Sequence, residues 1–364
     1  MTTILLTSAG TLVGQCVLDS LQGRRAGVRI VATDSVGQSA QLFRCDEVHL
    51  VPATSEPERF IDAIERLVDT IEPDLVIPGS DPDVSAIADL AARRPDRNRF
   101  LVGDAACARI IEDKLVSWQF ASNAGLPFVD TICTDDPARH DLARDMAERW
   151  GYPLVSKPRF GSASRGVSLL LNDAHLEAAL GVEGQVIQQF RGEPANAETV
   201  AAFLAIPGVP LWFDLLPEGL FGCQALINSD GQVGPIATMK LTQRAGRLWG
   251  METLDDPEIR DLGHAFAELF SANGWRGLIN IQGGYDERGA SAFEFNGRFN
   301  GGTSARLSLG FDEVGWTINS LIGSEVIPPY GGTTGTRAER SFTDYPGRDD
   351  DVDHLRREGS WTVN

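Results

Sequence analysis

The sequence predicts an α/β protein in which a parallel-sheet domain precedes two α+β lobes. Two observations lead there. Residues 1–104 alternate short apolar strands with amphipathic helices, the βαβ pattern of a parallel sheet. From Tyr152 onward the order becomes strand, Gly/Ser loop, strand, helix, strand, and then strands paired about tight turns. A chain of 364 residues with 42% apolar side chains is long enough for two or three packed units.

The first strand is Ile4-Leu5-Leu6-Thr7, which turns through Ser8 to Gly14 into a helix running to about Leu21. Arg29 to Thr33, ending at Asp34, and Val48 to Val51 are the next strands. Phe60, Ile61, Ile64, Leu67, Val68 and Ile71 then recur at helical spacing. Leu75-Val76-Ile77 and Phe100-Leu101-Val102 complete the parallel set. Asp104 opens one helical stretch through Lys114 to Asn123, closed by Gly125 and Pro127. Residues 192–219, rich in Pro, Gly and Ala without a period, read as an insertion or lid-like loop. Phe221 to Ile227 and Pro235 to Thr242 pair around Ser229-Asp230-Gly231. Asp255 or Asp256 caps a helix with Pro257 in its first turn and Asn273-Gly274 at its end. Leu278 to Tyr285 and Ala292 to Phe299 form a hairpin about Asp286-Glu287-Arg288-Gly289. These elements divide the chain into units 1–104, 105–187 and 188–330, with 331–364 as a C-terminal extension.

Composition narrows the chemistry. A formal charge of −19 argues against nonspecific nucleic-acid binding, so any polyanion must meet a few aimed cations. The five cysteines show no CxxC spacing, which points to a reducing compartment rather than a disulfide scaffold or a zinc site. No targeting segment or membrane-length apolar run is present, so a soluble, cytoplasmic protein is expected. Only three of the 32 basic residues are lysines: Lys114, Lys157 and Lys240. A compact ammonium and a planar guanidinium are not interchangeable at a phosphate, which directs attention to those three positions.

Three constellations carry chemistry. Lys157-Pro158-Arg159-Phe160-Gly161-Ser162-Ala163-Ser164-Arg165-Gly166 links two strands; such a loop exposes N–H groups to phosphate oxygens beside an ammonium. A strand on each side excludes the Walker A arrangement, which needs a helix after the loop. In Phe293-Glu294-Phe295-Asn296-Gly297-Arg298, alternation puts Glu294, Asn296 and Arg298 on one face and both phenylalanines in the core. Gln282 falls nearly opposite Glu294 in the hairpin, giving a hard oxygen set suited to Mg²⁺ carrying a polyphosphate. The third is Gly10-Thr11-Leu12-Val13-Gly14 with Asp34 twenty positions on, similar to a dinucleotide fingerprint without its third glycine. Tight strand-to-helix packing accounts for those glycines equally well.

In this order and spacing the motifs resemble the ATP-grasp superfamily, over roughly residues 1–325. The likeness is to single-copy enzymes similar to the synthetase subunit of carbamoyl phosphate synthase. It rests on Asp113-Lys114 with Gly125-Leu126-Pro127, Gly151-Tyr152-Pro153-Leu154-Val155-Ser156-Lys157-Pro158, the Gly-rich loop, Val186-Ile187-Gln188-Gln189-Phe190, and Glu294-x-Asn296-x-Arg298. The resemblance implies a Rossmann-like pre-ATP-grasp sheet followed by two α+β lobes with the nucleotide between them. Lys114 and Lys157 would bind phosphate together with Gly161, Ser162, Ser164 and Gly166 of the loop. Gln188, Gln189 and Phe190 would contact adenine, and Glu193, or alternatively Glu198, the ribose. Gln282, Glu294 and Asn296 would be the metal ligands, while Arg298, Arg306 and Lys240 would face the γ-phosphate and the acyl substrate, with Arg244 beside Lys240. Two departures stand out: the usual Asn-Pro-Arg is Asn296-Gly297-Arg298, and 192–219 is longer than the family pattern.

The implied function is an ATP-dependent carboxylate–amine ligase acting on small amino-acid-like molecules through an acylphosphate, releasing ADP and phosphate. ATP and one or two Mg²⁺ (or Mn²⁺) would be required. No Ser-His-Asp or Cys-His arrangement is present, in keeping with chemistry that needs no protein nucleophile. The expected partners are a small carboxylate and an amine, contacted from 192–219 and from Trp249 to Thr253, with no nucleic acid and no membrane; homodimers are common in such enzymes. The rival readings are an NAD-dependent oxidoreductase using Gly10, Gly14 and Asp34, and a non-catalytic nucleotide-binding protein. Biotin-dependent carboxylation would need a separate carrier, since no Met-Lys-Met-type attachment site is present.

Overall fold

The computed structural model describes residues 1–161, 164–192, 218–244, 247–341, 344–345 and 348–363. Its first four strands, β1 (Thr2–Leu6), β2 (Val28–Asp34), β3 (Glu47–Leu50) and β4 (Leu75–Ile77), pair in parallel in the order β3-β2-β1-β4. Burial of Ile4, Leu5, Leu6, Val31, Val76 and Ile77 to 1% exposure or less explains why these strands are continuously apolar: both faces of the sheet are covered. Phe100–Val102 does not extend this sheet as a full strand. Phe100 makes only an isolated bridge to Val76. Sequence patterning also passed over the helix Asp81–Ala92, which Ser80 caps by accepting from the Asp83 N–H.

The stretch expected as one helix from Asp104 is two, Ala105–Glu112 and Lys114–Asn123. Asp113 breaks it: its backbone is extended, and its carboxylate caps the second helix by accepting from the N–H groups of Leu115 and Val116. The small lobe follows, with β5 (Thr131–Cys133), β6 (Leu154–Pro158), β7 (Ser168–Leu170) and β8 (Gln185–Gln189) in the order β5-β8-β6-β7. Strand β5 and the helix Arg139–Trp150 were not foreseen, and a boundary at 187/188 passes through β8.

The large lobe is a six-stranded sheet of β9 (Leu220–Ile227), β10 (Val233–Arg244), β11 (Arg247–Thr253), β12 (Gly277–Asp286), β13 (Gly289–Asn296) and β14 (Arg337–Glu339). Its order is β13-β12-β9-β10-β11-β14. The helix Pro257–Ala272, capped by Asp256, buries Ile259, Phe266 and Phe270 against Phe221, Cys223, Ile279 and Ile281 on one face. The opposite face carries Gln282, Glu294 and Asn296, and the short helix Thr303–Ser308 packs across its β10–β11 end. The chain then returns to the first sheet through the helix Asp349–Glu358 and β15 (Ser360–Thr362), which pairs antiparallel with β3. Trp361 packs edge-on against Phe43 at 5.2 Å, and the Arg348 guanidinium lies over both rings. Among the described residues no helix is long and apolar enough to cross a membrane, and the five cysteines are free and buried.

Candidate active site

Lys157 lies on β6, where alternation would point its side chain toward the large lobe, and it is 5% exposed. Its ammonium donates to the Phe293 carbonyl at 3.2 Å and sits 5.1 Å from the centre of that ring. Burial pushes its pKa down to about 8, opposed by Glu294 and reinforced by Lys114. The carbonyl it reaches belongs to a β-bulge. Gln282 pairs with Glu294 but Gly283 pairs with Ala292, so Phe293 is the extra residue. Phe293 is therefore half-buried rather than packed in the core as alternation predicted; only Phe295, 2% exposed, is there.

Lys114 opens its helix, and its ammonium donates to the Gly161 carbonyl at 2.7 Å. Asp113, while capping that helix, holds Arg159 in a forked ion pair with Nε at 2.8 Å and Nη2 at 2.6 Å. The Gly-rich loop is thus rooted at its start on the cap of the helix Lys114–Asn123. Beyond the root it is open: Gly161, Ser164 and Gly166 are exposed, with φ of +127°, +54° and +74°. Ser162 lies outside the described residues, as do Glu193, Glu198 and most of 192–219. On β8, Gln188 is buried and donates to the Thr131 hydroxyl at 2.9 Å. Gln189 is buried beside it, and Phe190 follows half-buried where the strand ends.

The oxygen set is assembled by strand register. Gln282 stands opposite Glu294, and Asn280 opposite Asn296. Asn296 Oδ1 accepts from Arg298 at 3.0 Å, while Asn296 Nδ2 and Arg298 Nε are buried without any acceptor. Arg298 does not share the strand face as expected, because β13 ends at Asn296. The chain turns there, and Arg298 instead reaches Asp81, at the start of the helix Asp81–Ala92. That ion pair joins the large lobe to the first domain, and the sequence offered no signal for it.

Two predicted residues stand apart. Arg306 is 3% exposed, and its guanidinium is held by Glu313 at 2.7 and 3.2 Å and by Asn300 at 3.0 Å. It fixes the turn after Arg298. Lys240 pairs in register with Phe221, and Phe221 with Gly283, so its exposed side chain leaves the sheet on the face opposite Gln282. Arg244 shares that face and stacks on Trp249 at 4.7 Å. Met239, adjacent to Lys240, is the residue that shares the sheet face of Gln282, where it packs with Met251.

One carboxylate and two amides are too little charge to hold a hard divalent cation unaided, and they suit one that arrives with polyphosphate oxygens. Among the described residues no cluster of three or more His, Cys, Asp or Glu could hold a metal. The orphaned donors of Asn296 and Arg298 fit the same chemistry, since buried N–H groups without acceptors favour an incoming anion. The dinucleotide alternative fares differently. The Gly10 N–H that a pyrophosphate would need already donates to Asp34 at 2.9 Å, and a Cβ on Gly14 would lie 2.1 Å from the Ala9 carbonyl oxygen. Those glycines serve packing.

No protein-family model matches the chain. Over 182 residues, 48% of the chain, it is 25% identical to the formate-dependent phosphoribosylglycinamide formyltransferase of Bacillus subtilis, and the match spans only 42% of that protein. Among solved structures it is similar to the N5-carboxyaminoimidazole synthetase of Staphylococcus aureus complexed with ADP. That match has 14% identity and a TM-score of 0.65, covering 90% of this chain and 79% of the other. The biotin carboxylase domain of Hydrogenobacter thermophilus 2-oxoglutarate carboxylase, in complex with MgADP, matches with 17% identity and a TM-score of 0.64, covering 92% and 71%. Biotin carboxylase from Campylobacter jejuni matches with 16% identity and a TM-score of 0.63, covering 88% and 71%. With a small lobe that presents Lys157 to the bulge beside Glu294, and with these structural neighbours, the chain has the ATP-grasp fold.

Proposed function

We propose that the protein is an ATP-dependent ligase that activates a small carboxylate as an acylphosphate and joins it to an amine, releasing ADP and phosphate. The observation that carries this reading is the bond from Lys157 to the bulge carbonyl beside Glu294. It brings a phosphate-type lysine of one lobe onto the oxygen set of the other. Nucleotide binding would draw the two ammonium groups from the carbonyls of Phe293 and Gly161 onto phosphate oxygens. The open loop after Arg159 would then close over the phosphates and keep water from the acylphosphate. Gln188, Gln189 and Phe190 end β8 where adenine would lie.

Gln282, Glu294 and Asn296 would hold Mg²⁺, which when bound neutralises phosphate charge. Arg298, with its Nε free of a protein acceptor, is placed to hold the transferring phosphoryl group or the acyl oxygen. Arg306 supports that role by fixing the Asn300–Thr303 turn, and Lys240 takes no part. Small amino-acid-like molecules are the proposed substrates, and a cytoplasmic setting suits a site that uses ATP.

Replacing Glu294 by Gln tests the reading. ATP turnover with a pool of carboxylates and amines should fall by about 10²-fold or more, the usual cost of losing one group aimed at transition-state charge. The melting temperature should stay near that of the parent. Undiminished ADP release in the variant would remove Glu294 from the site.

A further inference from the structure

Gln282 is a conditional ligand. Turned one way its amide offers an oxygen to a cation; turned the other way it offers N–H groups that repel one. The choice is made by a relay that begins on the backbone of β9. Asn280 stands two residues before Gln282 on β12, on the same face, and is 2% exposed. Its Nδ2 donates to the Cys223 carbonyl at 3.2 Å. A backbone carbonyl can only accept, so that end of the Asn280 amide is nitrogen and its Oδ1 points away. Oδ1 in turn accepts from Gln282 Nε2 at 3.2 Å. Gln282 Oε1 is left without a protein donor among the described residues, on the strand pair that carries Glu294.

We infer that Asn280 is a positioning residue that locks the Gln282 amide with its oxygen toward the cation site. The inference rests on the reading above that Gln282 and Glu294 take a divalent cation. A reversed Gln282 would set its oxygen against the buried Asn280 Oδ1 and leave two acceptors facing each other, an arrangement that loses a hydrogen bond and adds repulsion. Glutamate at 282 would need no such lock, because both its terminal atoms are oxygens. With glutamine the site keeps one formal negative charge, and Asn280 supplies the orientation that a second carboxylate would have made unnecessary.

The experiment compares ADP affinity in saturating Mn²⁺ with ADP affinity in EDTA, so that the ratio isolates the metal's share. Asn280→Leu should lower that ratio about tenfold, the usual loss when the partner of a metal ligand is removed, with the EDTA value within about twofold of the parent. In that background Gln282→Glu should restore the ratio to within about threefold of Gln282→Glu alone, because the lock is no longer required. A purely structural Asn280 would lower both affinities together and would not be rescued by glutamate. Asn280→Ser, smaller and still polar, takes the place of the leucine variant if that one does not fold. An unchanged ratio in either variant, or a double variant as weak as Asn280→Leu, overturns the inference. Glu294→Gln is run alongside: if it too leaves the ratio unchanged, it is the cation site itself that falls, and not the lock alone.

Discussion

The chain contains two glycine-rich turns that follow strands, and both read as phosphate loops. In the first, the Ala9 N–H donates to Thr33, Gly10 to Asp34, Thr11 to Ser8, and Gly14 to the Thr11 hydroxyl. Every one of these donors already has an acceptor, and Gly14 lies so close to Ala9 that no side chain fits. In the second, the N–H groups of Gly161 and Gly166 have no acceptor among the described residues, both have positive φ, and a Cβ on Gly161 would meet nothing nearer than Pro158 at 4.0 Å. Glycine marks close packing in one turn and a loop with unengaged donors in the other. What separates them is the state of the N–H groups, which composition does not reveal.

The largest expected effect comes from exchanging the two demands. Gly14→Ala forces a Cβ to 2.1 Å from a backbone oxygen that cannot swing aside, so about 3 kcal/mol of stability or more should be lost in denaturant titration. The fraction that folds should bind Mg·ADP as the parent does. Gly161→Ala should do the reverse. Its φ of +127° is strained for alanine, yet the loop is exposed and can relax, so stability should fall by only about 1 kcal/mol. ADP affinity should drop about tenfold, as expected when relaxation of the loop carries one N–H donor out of line with its acceptor. Equal ADP affinities in the two variants would erase the distinction between the turns.

The same contrast explains what was legible in the sequence. The oxygen set could be read because Glu294 and Asn296 are two apart on a strand and Gln282 faces them across a short hairpin. The limits begin where a local period meets a non-local partner. A period of two has no way to register the extra residue at Phe293, so the bulge that Lys157 grips was invisible. Asp113 reads equally as a helix-interior residue or a cap until Arg159, 46 positions on, is brought to it. Placing Lys240 requires the register of three strands at once, whereas its neighbours in sequence suggest only that it sits on a strand. Arg298 and Asp81 are 217 residues apart, and no local period pairs the cation of the Glu294–Arg298 motif with a carboxylate at the start of a distant helix. The three residues of β15 are too short to show alternation, and their place is set by Val48 in the distant strand β3 and by Phe43 in the helical turn before it.

Lys157 sharpens the comparison most finely, because its charge is the part of the second turn that the first lacks altogether. Burial brings its pKa from 10.5 down to about 8, a displacement that corresponds to roughly 3 kcal/mol of penalty on the charged form. In the unfolded chain the amine holds its proton up to 10.5, so between about pH 8 and 10.5 the unfolded state binds more protons than the folded one. Stability of the nucleotide-free protein should therefore rise with pH through that window, and the penalty should be fully present below about 8. Phosphate oxygens beside the ammonium favour its charged form, which reverses the sign for binding. Mg·ADP should take up close to one proton near pH 9 and should bind more weakly as pH rises above 8. Calorimetry in buffers of different ionisation enthalpy reads that proton directly. Lys157→Met should abolish the uptake and remove the rise in stability. Uptake that persists undiminished in Lys157→Met would assign the proton elsewhere and leave the second turn, like the first, without a group that answers to phosphate.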